Sequence, residues 1–523
     1  MLLFHYKYKG QKTQRIRMAK VKQTQKLEAA LFSAADKLRK NIDAAEYKHI
    51  VLGLVFLKYI SDSFESLHKE LLARDEDAED KDEYIAKNIF FVPQDSRWSS
   101  LLSKAKSPQI GKDLDYALDL IEKDNPQLKG VLPKVYAKDN LDSATLGDLI
   151  NLIDSISLNQ ENTSDILGHI FEYFLGEFAL SEGKKGGQFY TPKSVVELLV
   201  AMLEPYNGRV FDPCCGSGGM FVQSERFVRE HQGKISDISI YGQESNQTTW
   251  RLAKMNLALR KIDSSSLKWN SEGSFLNDAH KDLKADFIIA NPPFNATDWG
   301  SQALENDVRW QYGTPPSTNA NYAWISHFIH HLAPKGRAGF VLAKGSLTSN
   351  TSTEGQIRKN LIESNLIECI VNLPAKLFLN TQIPACLWFI KRNKSHNNTL
   401  FIDTRSLGEL INRKNRILTQ SDIAKIAETY HKWQKAQEQP KLEQKDGDYS
   451  DILGFCKSVS KEEIANLGYV LTPGRYVGLA EDDEDFDFER EFTRLKAELE
   501  SQIKEERILS EKILNNLEII GGK

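Results

Sequence analysis

The chain has no basic excess: 68 Lys and Arg stand against 72 Asp and Glu, a formal net charge of −4. A protein that grips a nucleic-acid duplex unaided takes most of its affinity from Lys and Arg on phosphates. Any basic surface here is therefore local, or a partner shares the grip. Cysteine is scarce as well. Cys214, Cys215, Cys369, Cys386 and Cys456 are an odd set with no zinc-ligand spacing, which argues against a disulfide framework and fits reduced thiols. No metal site is expected. Long apolar runs are missing: the longest, Ile50 to Leu57, is closed by Lys58 and is far too short to span a bilayer. Leu2-Leu3-Phe4 followed by scattered Lys and Arg is not a secretory signal. The expected location is the cytoplasm, with no membrane partner.

What is present divides along the chain. With 523 residues, 41% hydrophobic and 27% charged, roughly two to four domains are expected. Residues 1–25 are basic, with no acidic residue before Glu28, and read as a disordered extension in which Met18 offers a second start. Residues 26–166 read as an all-helical domain. Leu27, Leu31, Ala34, Ala35 and Leu38, then Leu54, Leu57, Tyr59-Ile60 and Phe64, recur at helical spacing. Asp142-Ser143 and Asn162-Thr163-Ser164 offer N-caps, and Asp75 to Asp82 reads as a solvated acidic loop.

Over residues 167–400 the rhythm changes. Short β-rich runs (Arg209-Val-Phe-Asp, Ile238-Ser-Ile-Tyr, Leu267-Lys-Trp, Ala285 to Ala290, Ala338 to Leu342, Ile367 to Val371, Ala385 to Ile390) alternate with helical stretches such as Gly219 to Arg229, Gln247 to Arg260 and Asn321 to Leu332. That alternation implies an α/β domain with a parallel, doubly wound sheet. The last two strands, separated by a short link at Gln382-Ile383-Pro384, read as an antiparallel hairpin at one end, similar to the methyltransferase variant of the Rossmann fold. Residues 401–480 read as a helical region. In residues 481–523 Phe488, Phe492, Leu495, Leu499 and Ile503 share one helical face, continued by Leu509, Ile513, Leu517 and Ile520. Such an amphipathic helix packs on its own protein or docks on a partner; docking is the expectation.

Chemistry concentrates in four places. Phe211-Asp212-Pro213-Cys214-Cys215-Gly216-Ser217-Gly218-Gly219 follows a strand and opens a helix. Small residues there let backbone amides approach a ligand, and no Gly-Lys-Ser/Thr ending makes it a P-loop. Glu244 closes the next strand, where a carboxylate can accept both ribose hydroxyls of an adenosyl cofactor. Asp286 to Ala290 delivers Asn291-Pro292-Pro293-Phe294 at a strand's carboxyl end, where open α/β sheets place ligands. Adenine N6 is a poor nucleophile because its lone pair is delocalised into the ring. The Asn291 side-chain oxygen and the Pro292 carbonyl can each accept one amino hydrogen, holding the nitrogen pyramidal and stabilising developing charge. Pro292 and Pro293 stiffen the turn, and Phe294 offers a face for an extruded base. Finally, Gly186-Gly187-Gln188-Phe189-Tyr190-Thr191-Pro192-Lys193 precedes the first strand, its aromatics suited to cover a cofactor's methionine end, with Thr191 as cap and Pro192 opening a helix.

In this order the four motifs resemble an N6-adenine DNA methyltransferase, and more closely the modification (M) subunit of type I restriction–modification systems. The resemblance covers nearly the whole chain. It extends over Ala34-Ala35-Asp36-Lys37-Leu38-Arg39, Glu46-Tyr47-Lys48, Leu57 to Asp62, Tyr312-Gly313-Thr314-Pro315-Pro316, Asn321-Tyr322-Ala323-Trp324, Gly336-Arg337-Ala338 and Leu471 to Gly478. It implies S-adenosylmethionine as cofactor, a pocket from Gln188, Phe189, Tyr190, Thr191, Pro192, Lys193, Asp212, Gly216, Ser217, Gly218, Gly219 and Glu244, and a catalytic turn Asn291 to Phe294. It also implies DNA as substrate and two methyltransferase subunits per separate specificity subunit, with room for a restriction translocase in the assembly. The sequence departs from the family at Glu272-Gly273-Ser274-Phe275, which lacks the family's acidic or amide residue near the cofactor adenine; Asp278 substitutes only if the loop folds back. Cys214-Cys215 replaces commoner small residues, which a small apolar thiol tolerates. Neither a Walker motif nor an acidic–acidic–Lys nuclease signature is found, so the chain is expected to modify but not cut. The alternatives are a stand-alone adenine methyltransferase that reads its own site and a non-catalytic scaffold retaining the fold.

Overall fold

Apolar runs such as Ile367–Asn372 and Ala385–Lys391 are buried along nearly their whole length, as befits strands covered on both faces. The structure, a computed structural model, describes residues 44–138, 140–155, 168, 170–176, 191–378, 383–413, 415–438, 448–479 and 488–521. Its strands are β1 Gly208–Asp212, β2 Ile238–Glu244, β3 Leu267–Trp269, β4 Ala285–Ala290, β5 Leu332–Ala343, β6 Ile367–Asn372, β7 Ala385–Lys391, β8 Thr399–Asp403, β9 Glu409–Leu410, β10 Arg416–Ile417 and β11 Cys456–Val459. Nine form one sheet in the order β11-β8-β6-β7-β5-β4-β1-β2-β3. From β3 to β5 all neighbours are parallel. Strand β7 runs antiparallel between β5 and β6, as expected for a Rossmann-like methyltransferase sheet.

The period-2 geometry of a strand sends neighbouring side chains to opposite faces. In β7, Leu387 and Phe389 join one core with the helices Lys193–Leu203 and Gln420–Glu438, whose Trp433 is fully buried. Cys386, Trp388 and Ile390 join the other core with Tyr322 and Phe328 of the helix Asn321–His331. The helical domain expected at the N-terminus carries Ala44–Ala73, Lys81–Ala86, Trp98–Ser103, Ile110–Asp124 and Ser143–Asp154. Asp142 caps the last of these by accepting the Thr145 N–H at 2.9 Å. Phe64 stacks on Tyr84 at 4.5 Å within the core of this domain. Leu252 and Met255 of the helix Gln247–Ala258 join that same core, and Arg251 Nε donates to the Gly130 carbonyl at 2.9 Å. The helical domain is thus packed on the sheet domain.

Two expectations need correction. Residues 401–480 are not a separate helical region. Beyond Gln420–Glu438 and the short Lys461–Asn466, they contribute the last three residues of β8, the β9–β10 hairpin and β11. Strand β8 runs parallel beside β6, and β11 antiparallel beside β8, so the boundary at residue 400 cuts a strand. The reason lies in Leu400-Phe-Ile, all buried, which two-sided cover makes a strand too short for periodicity to reveal. For the same reason the antiparallel β6–β7 pair lies inside the sheet, not at its end. The basic segment 1–25, the Asn162-Thr163-Ser164 cap and the boundary at 166 lie outside the described residues.

The C-terminal helix spans Phe488–Gly521. Leu495, Leu499, Ile503, Leu509 and Ile513 are each between 50% and 59% exposed, so described residues leave this stripe uncovered. Phe488, Leu517 and Ile520 belong to the helix, but their side chains are outside the described set.

One buried cation ties the second core together. Arg358, 1% exposed, donates from Nε to the Tyr469 carbonyl (2.8 Å), from Nη2 to Asn350 Oδ1 (2.8 Å) and from Nη1 to the Ser349 carbonyl. Removing a donor from buried acceptors costs about 1–3 kcal/mol for each group left unpaired. Arg358→Ala is expected to lower stability by ~3 kcal/mol, with Arg358→Lys intermediate, read as the urea midpoint by circular dichroism. Equal midpoints for all three proteins would deny Arg358 this role.

Candidate active site

At the carboxyl edge of the sheet β1 runs into the glycine turn and then the helix Gly219–Glu230. Gly216 and Gly218 hold φ of 53° and 79°, where a Cβ is strained. The Gly216 N–H donates to Glu244 Oε2 at 3.0 Å, and the Asn246 N–H to Oε1 at 2.8 Å. Glu244, at the end of β2, is therefore clamped to the turn that follows β1, each of its oxygens keeping a further lone pair. Asp212 lies beside it, 1% exposed, accepting the Cys214 N–H at 3.0 Å. Burial pushes the Asp212 carboxyl up to about 7, against the Cys214 hydrogen bonds and with help from the Glu244 charge. Burial also raises Glu244, opposed by its backbone donors. The Cys214 and Cys215 thiols are pushed well up by burial and stay neutral, so they serve as the small apolar residues expected of them.

The third wall is the turn Gly273–Leu276 that follows β3. The Ser274 hydroxyl donates to the Pro213 carbonyl, and Arg309 holds the turn from behind. Arg309, 7% exposed, uses all five N–H donors: a bidentate pair with Asp307 (2.7 Å each), the carbonyls of Ser274 (3.3 Å) and Phe275 (2.8 Å), and His327 Nδ1 (3.1 Å). Asp278 does not substitute at the cofactor side. It is held by His331 Nε2 at 2.8 Å and lines no part of the cavity. Burial would raise the Asp278 carboxyl, but the hydrogen bonds from His331 and from the His280 N–H hold it well below the carboxylate range. Asp278, His327 and His331 bring ligand-type atoms within 4.8 Å of one another. However, His327 Nδ1 accepts from Arg309 and His331 Nδ1 already faces the Leu283 carbonyl. A metal on His327 Nε2 would require an imidazolate, so the cluster is a hydrogen-bond network that fixes Asp278.

Strand β4 delivers the fourth wall. Asn291 Nδ2 donates to Thr191 Oγ1 at 2.9 Å, while Asn291 Oδ1 is buried with no partner. Together the walls enclose a cavity of about 280 Å³. Of the residues expected at the site, Thr191, Asp212, Gly216 and Ser217 line it, with Gly219, Glu244, Asn291 and Pro293. Others stand back. Pro192 is buried at the start of the helix Lys193–Leu203, where Lys193 is exposed with its ammonium 4.0 Å from Glu197. Gly218 faces Ala253 and Leu257, Pro292 is buried, and the half-buried Phe294 meets the edge of Phe378 at 5.8 Å. Gln188, Phe189 and Tyr190 lie outside the described residues. Sequence reasoning missed Trp299, Trp324 and Arg309. Trp324 lines the cavity and its indole N–H is a second buried polar atom without a partner. Its signal was the Asn321-Tyr322-Ala323-Trp324 motif, to which no role attached.

The chain matches a family model described as N-6 DNA methylase over residues 162–485 and one described as HsdM N-terminal domain over residues 27–153. It is 46% identical over 455 residues to the type I restriction enzyme HindI methylase subunit of Haemophilus influenzae, covering 82% of this chain and 100% of that one. It is 38% identical over 525 residues to the MjaIX methylase subunit of Methanocaldococcus jannaschii, covering 95% and 92%. Among solved structures, the type I restriction-modification methyltransferase subunit from Streptococcus thermophilus superposes with a TM-score of 0.74 at 26% identity, over 87% of this chain and 99% of that one.

Asp212 gives the free protein a pH signature. An unfolded Asp ionises near 4, so between about 4 and about 7 the folded chain keeps a proton that the unfolded chain has released. The stability from this group is complete below the unfolded value and is lost as pH rises through the folded one. The unfolding free energy of the ligand-free protein, read from urea titrations, is therefore expected to fall between about pH 4 and pH 7.5, by up to ~3–4 kcal/mol. Asp212→Asn should flatten that fall; an unaltered slope would remove Asp212 as the titrating group.

Proposed function

The chain belongs to the N-6 DNA methylase family and, within it, to the methylase subunits of type I restriction enzymes, and on that premise we propose that it methylates N6 of an adenine extruded from duplex DNA, at a site chosen by a separate specificity subunit. Family membership makes it an adenine-specific DNA methyltransferase with S-adenosylmethionine as cofactor. The observation that carries the proposal is Asn291. Its amide is clamped by Thr191 through Nδ2, which leaves a buried, unpaired Oδ1 as acceptor for one amino hydrogen. The Pro292 carbonyl takes the second. With both hydrogens held, the nitrogen lone pair leaves the ring plane, and the two acceptors stabilise positive charge as it develops.

When bound, S-adenosylmethionine supplies an electrophilic methyl on a sulfonium. The cavity suits it: Glu244 offers lone pairs to ribose hydroxyls, and Asp212 a carboxylate to a cationic ligand, whose charge favours loss of the Asp212 proton. Gly216, Ser217 and Gly219 allow close approach and Thr191 lines the same cavity, while Pro192 and Lys193 start the helix behind it; the motif residues Gln188, Phe189 and Tyr190, outside the described residues, are the proposed methionine-end cover. Phe294 stacks on the extruded base.

Delegated recognition has its own support. The net charge of −4 shows no basic excess, and among the described residues from 400 to 479 the chain extends the catalytic sheet and packs the helix Gln420–Glu438 on it, with no recognition domain of its own. The uncovered stripe of Phe488–Gly521 is where the specificity subunit docks, two methyltransferase subunits to each, with a restriction translocase able to join. No described helix is long and apolar enough to cross a membrane, and the cytoplasm is the compartment proposed.

The decisive test is transfer of labelled methyl to unmethylated genomic DNA, with and without the specificity subunit. Activity is expected only with it, and full site-specific activity from the chain alone would refute delegation. Within the active complex Asn291→Ala is expected to cut turnover by ~10²-fold or more while cofactor affinity by calorimetry stays within about twofold. Loss of cofactor binding instead would put Asn291 in the wrong role.

A further inference from the structure

A second feature stands at the carboxyl end of the sheet, over β6 and β8, and methyl transfer at Asn291 makes no use of it. Between β8 and the helix Gln420–Glu438 the chain turns back on itself. Strand β9 pairs antiparallel with β10, Leu410 opposite Arg416 and Glu409 opposite Ile417. The tip is tight: the Ile411 N–H donates to the Asn415 carbonyl and the Asn415 N–H to Asn412 Oδ1, each at 2.9 Å.

The hairpin is braced on both sides of the catalytic turn. The Arg416 N–H donates to the Lys376 carbonyl at 2.8 Å, and Lys376 Nζ to the Arg413 carbonyl at 3.1 Å. Two residues beyond Lys376 is Phe378, whose ring meets Phe294. At the hairpin's base, Leu418 is buried with its N–H donating to Ser194 Oγ, and Gln420 donates to Glu197 at 2.9 Å. Both acceptors lie on the helix that begins just after Thr191, the residue that clamps Asn291.

This braced element holds apolar side chains out of the protein. Leu410 is 54% exposed and Ile411 60%, beside exposed Arg413 and Lys376. Over residues 405–417 Glu409 is the sole acidic residue, in a chain whose total charge is −4. An apolar tip flanked by cations, beside the place where a base leaves its stack, matches the chemistry of a duplex: apolar wedges enter base steps and Lys or Arg holds the adjoining phosphates. The cofactor cavity lies over β1 to β4, and the hairpin stands over the other half of the same sheet edge.

We propose that the β9–β10 hairpin enters the DNA beside the extruded adenine, with Leu410 and Ile411 wedging the opened base step and Arg413 and Lys376 gripping the flanking phosphates. The inference rests on the adenine-methylation reading. A wedge lowers the cost of unstacking, so its loss is felt on a paired duplex and relieved where the base is already loose.

The test uses the complex with its specificity subunit and compares the parent with Leu410→Ala/Ile411→Ala on two duplexes, one fully paired and one with the target adenine mispaired. The double variant is expected to lose roughly tenfold or more in kcat/KM on the paired duplex and to come within about threefold of the parent on the mispaired one. Its cofactor affinity and thermal midpoint should be those of the parent. A 2-aminopurine at the target position should brighten less with the variant. Arg413→Ala, independently, should weaken DNA binding and reduce the salt slope by about one. Unchanged activity on the paired duplex overturns the proposal. Equal loss on both duplexes overturns the wedge, and loss of specificity-subunit binding in gel filtration assigns the hairpin to a protein partner instead. If the parent complex itself methylates neither duplex, the methylation reading fails, and that result is distinct from any failure of the hairpin.

Discussion

Everything at the site depends on the parallel register of three strands. Phe211 of β1 is paired at once with Tyr241 of β2 and Ile288 of β4. The strands therefore end at nearly one level, and Asp212, Glu244 and Asn291 leave the sheet side by side although 79 positions, from 212 to 291, separate the first from the last. The contact from the Gly216 amide to Glu244 then fixes the glycine turn against the neighbouring strand. Helices on both faces bury the strands and keep water from the ladder; their part in the chemistry is to hold that register.

Burial raises both carboxylates of the cavity, Asp212 to about 7, and the cationic Arg309 sits behind the wall, fully occupied with Asp307, His327 and two carbonyls. This division follows from desolvation: a cation with all its donors satisfied is tolerated inside, whereas carboxylates with spare lone pairs favour a cationic or hydroxyl-bearing ligand. The surroundings of Asn291 obey the same rule in reverse. One end of its amide is paired so that the other end can remain unpaired.

Much of this was legible from residues. The strands from Arg209 to Ile390 and the helices between them were visible because alternation of apolar runs with amphipathic stretches survives in a single sequence. Asn291, Glu244 and the glycine turn could be placed because each adjoins a strand end. What was not legible was tertiary. The Leu400-Phe-Ile run is too short to distinguish a strand from a buried helix, and β11 acquires its identity only by pairing with β8. Lys193 falls within a motif but points along its helix toward Glu197. Arg309 and Trp324 gain their roles through contacts with residues 274–275, distant in sequence. Asp278 was left between two roles until His331, another 53 positions along, claimed it.

The outermost strand, β11, arrives at Cys456–Val459, long after the catalytic turn, and Trp433 fastens to it through Ser458 at 2.8 Å. A chain emerging from the ribosome therefore presents β8 as a bare edge until Cys456–Val459 has been made, and unpaired edges are templates for misassembly. Most of the helical domain's core is available early, although Leu252 and Met255 complete it later, while the sheet must wait for its last distant pairing. Synthesis thus passes through a period in which the methyl-transfer site is already encoded but its scaffold has an open side, which makes the protection of that nascent edge a condition for obtaining active enzyme.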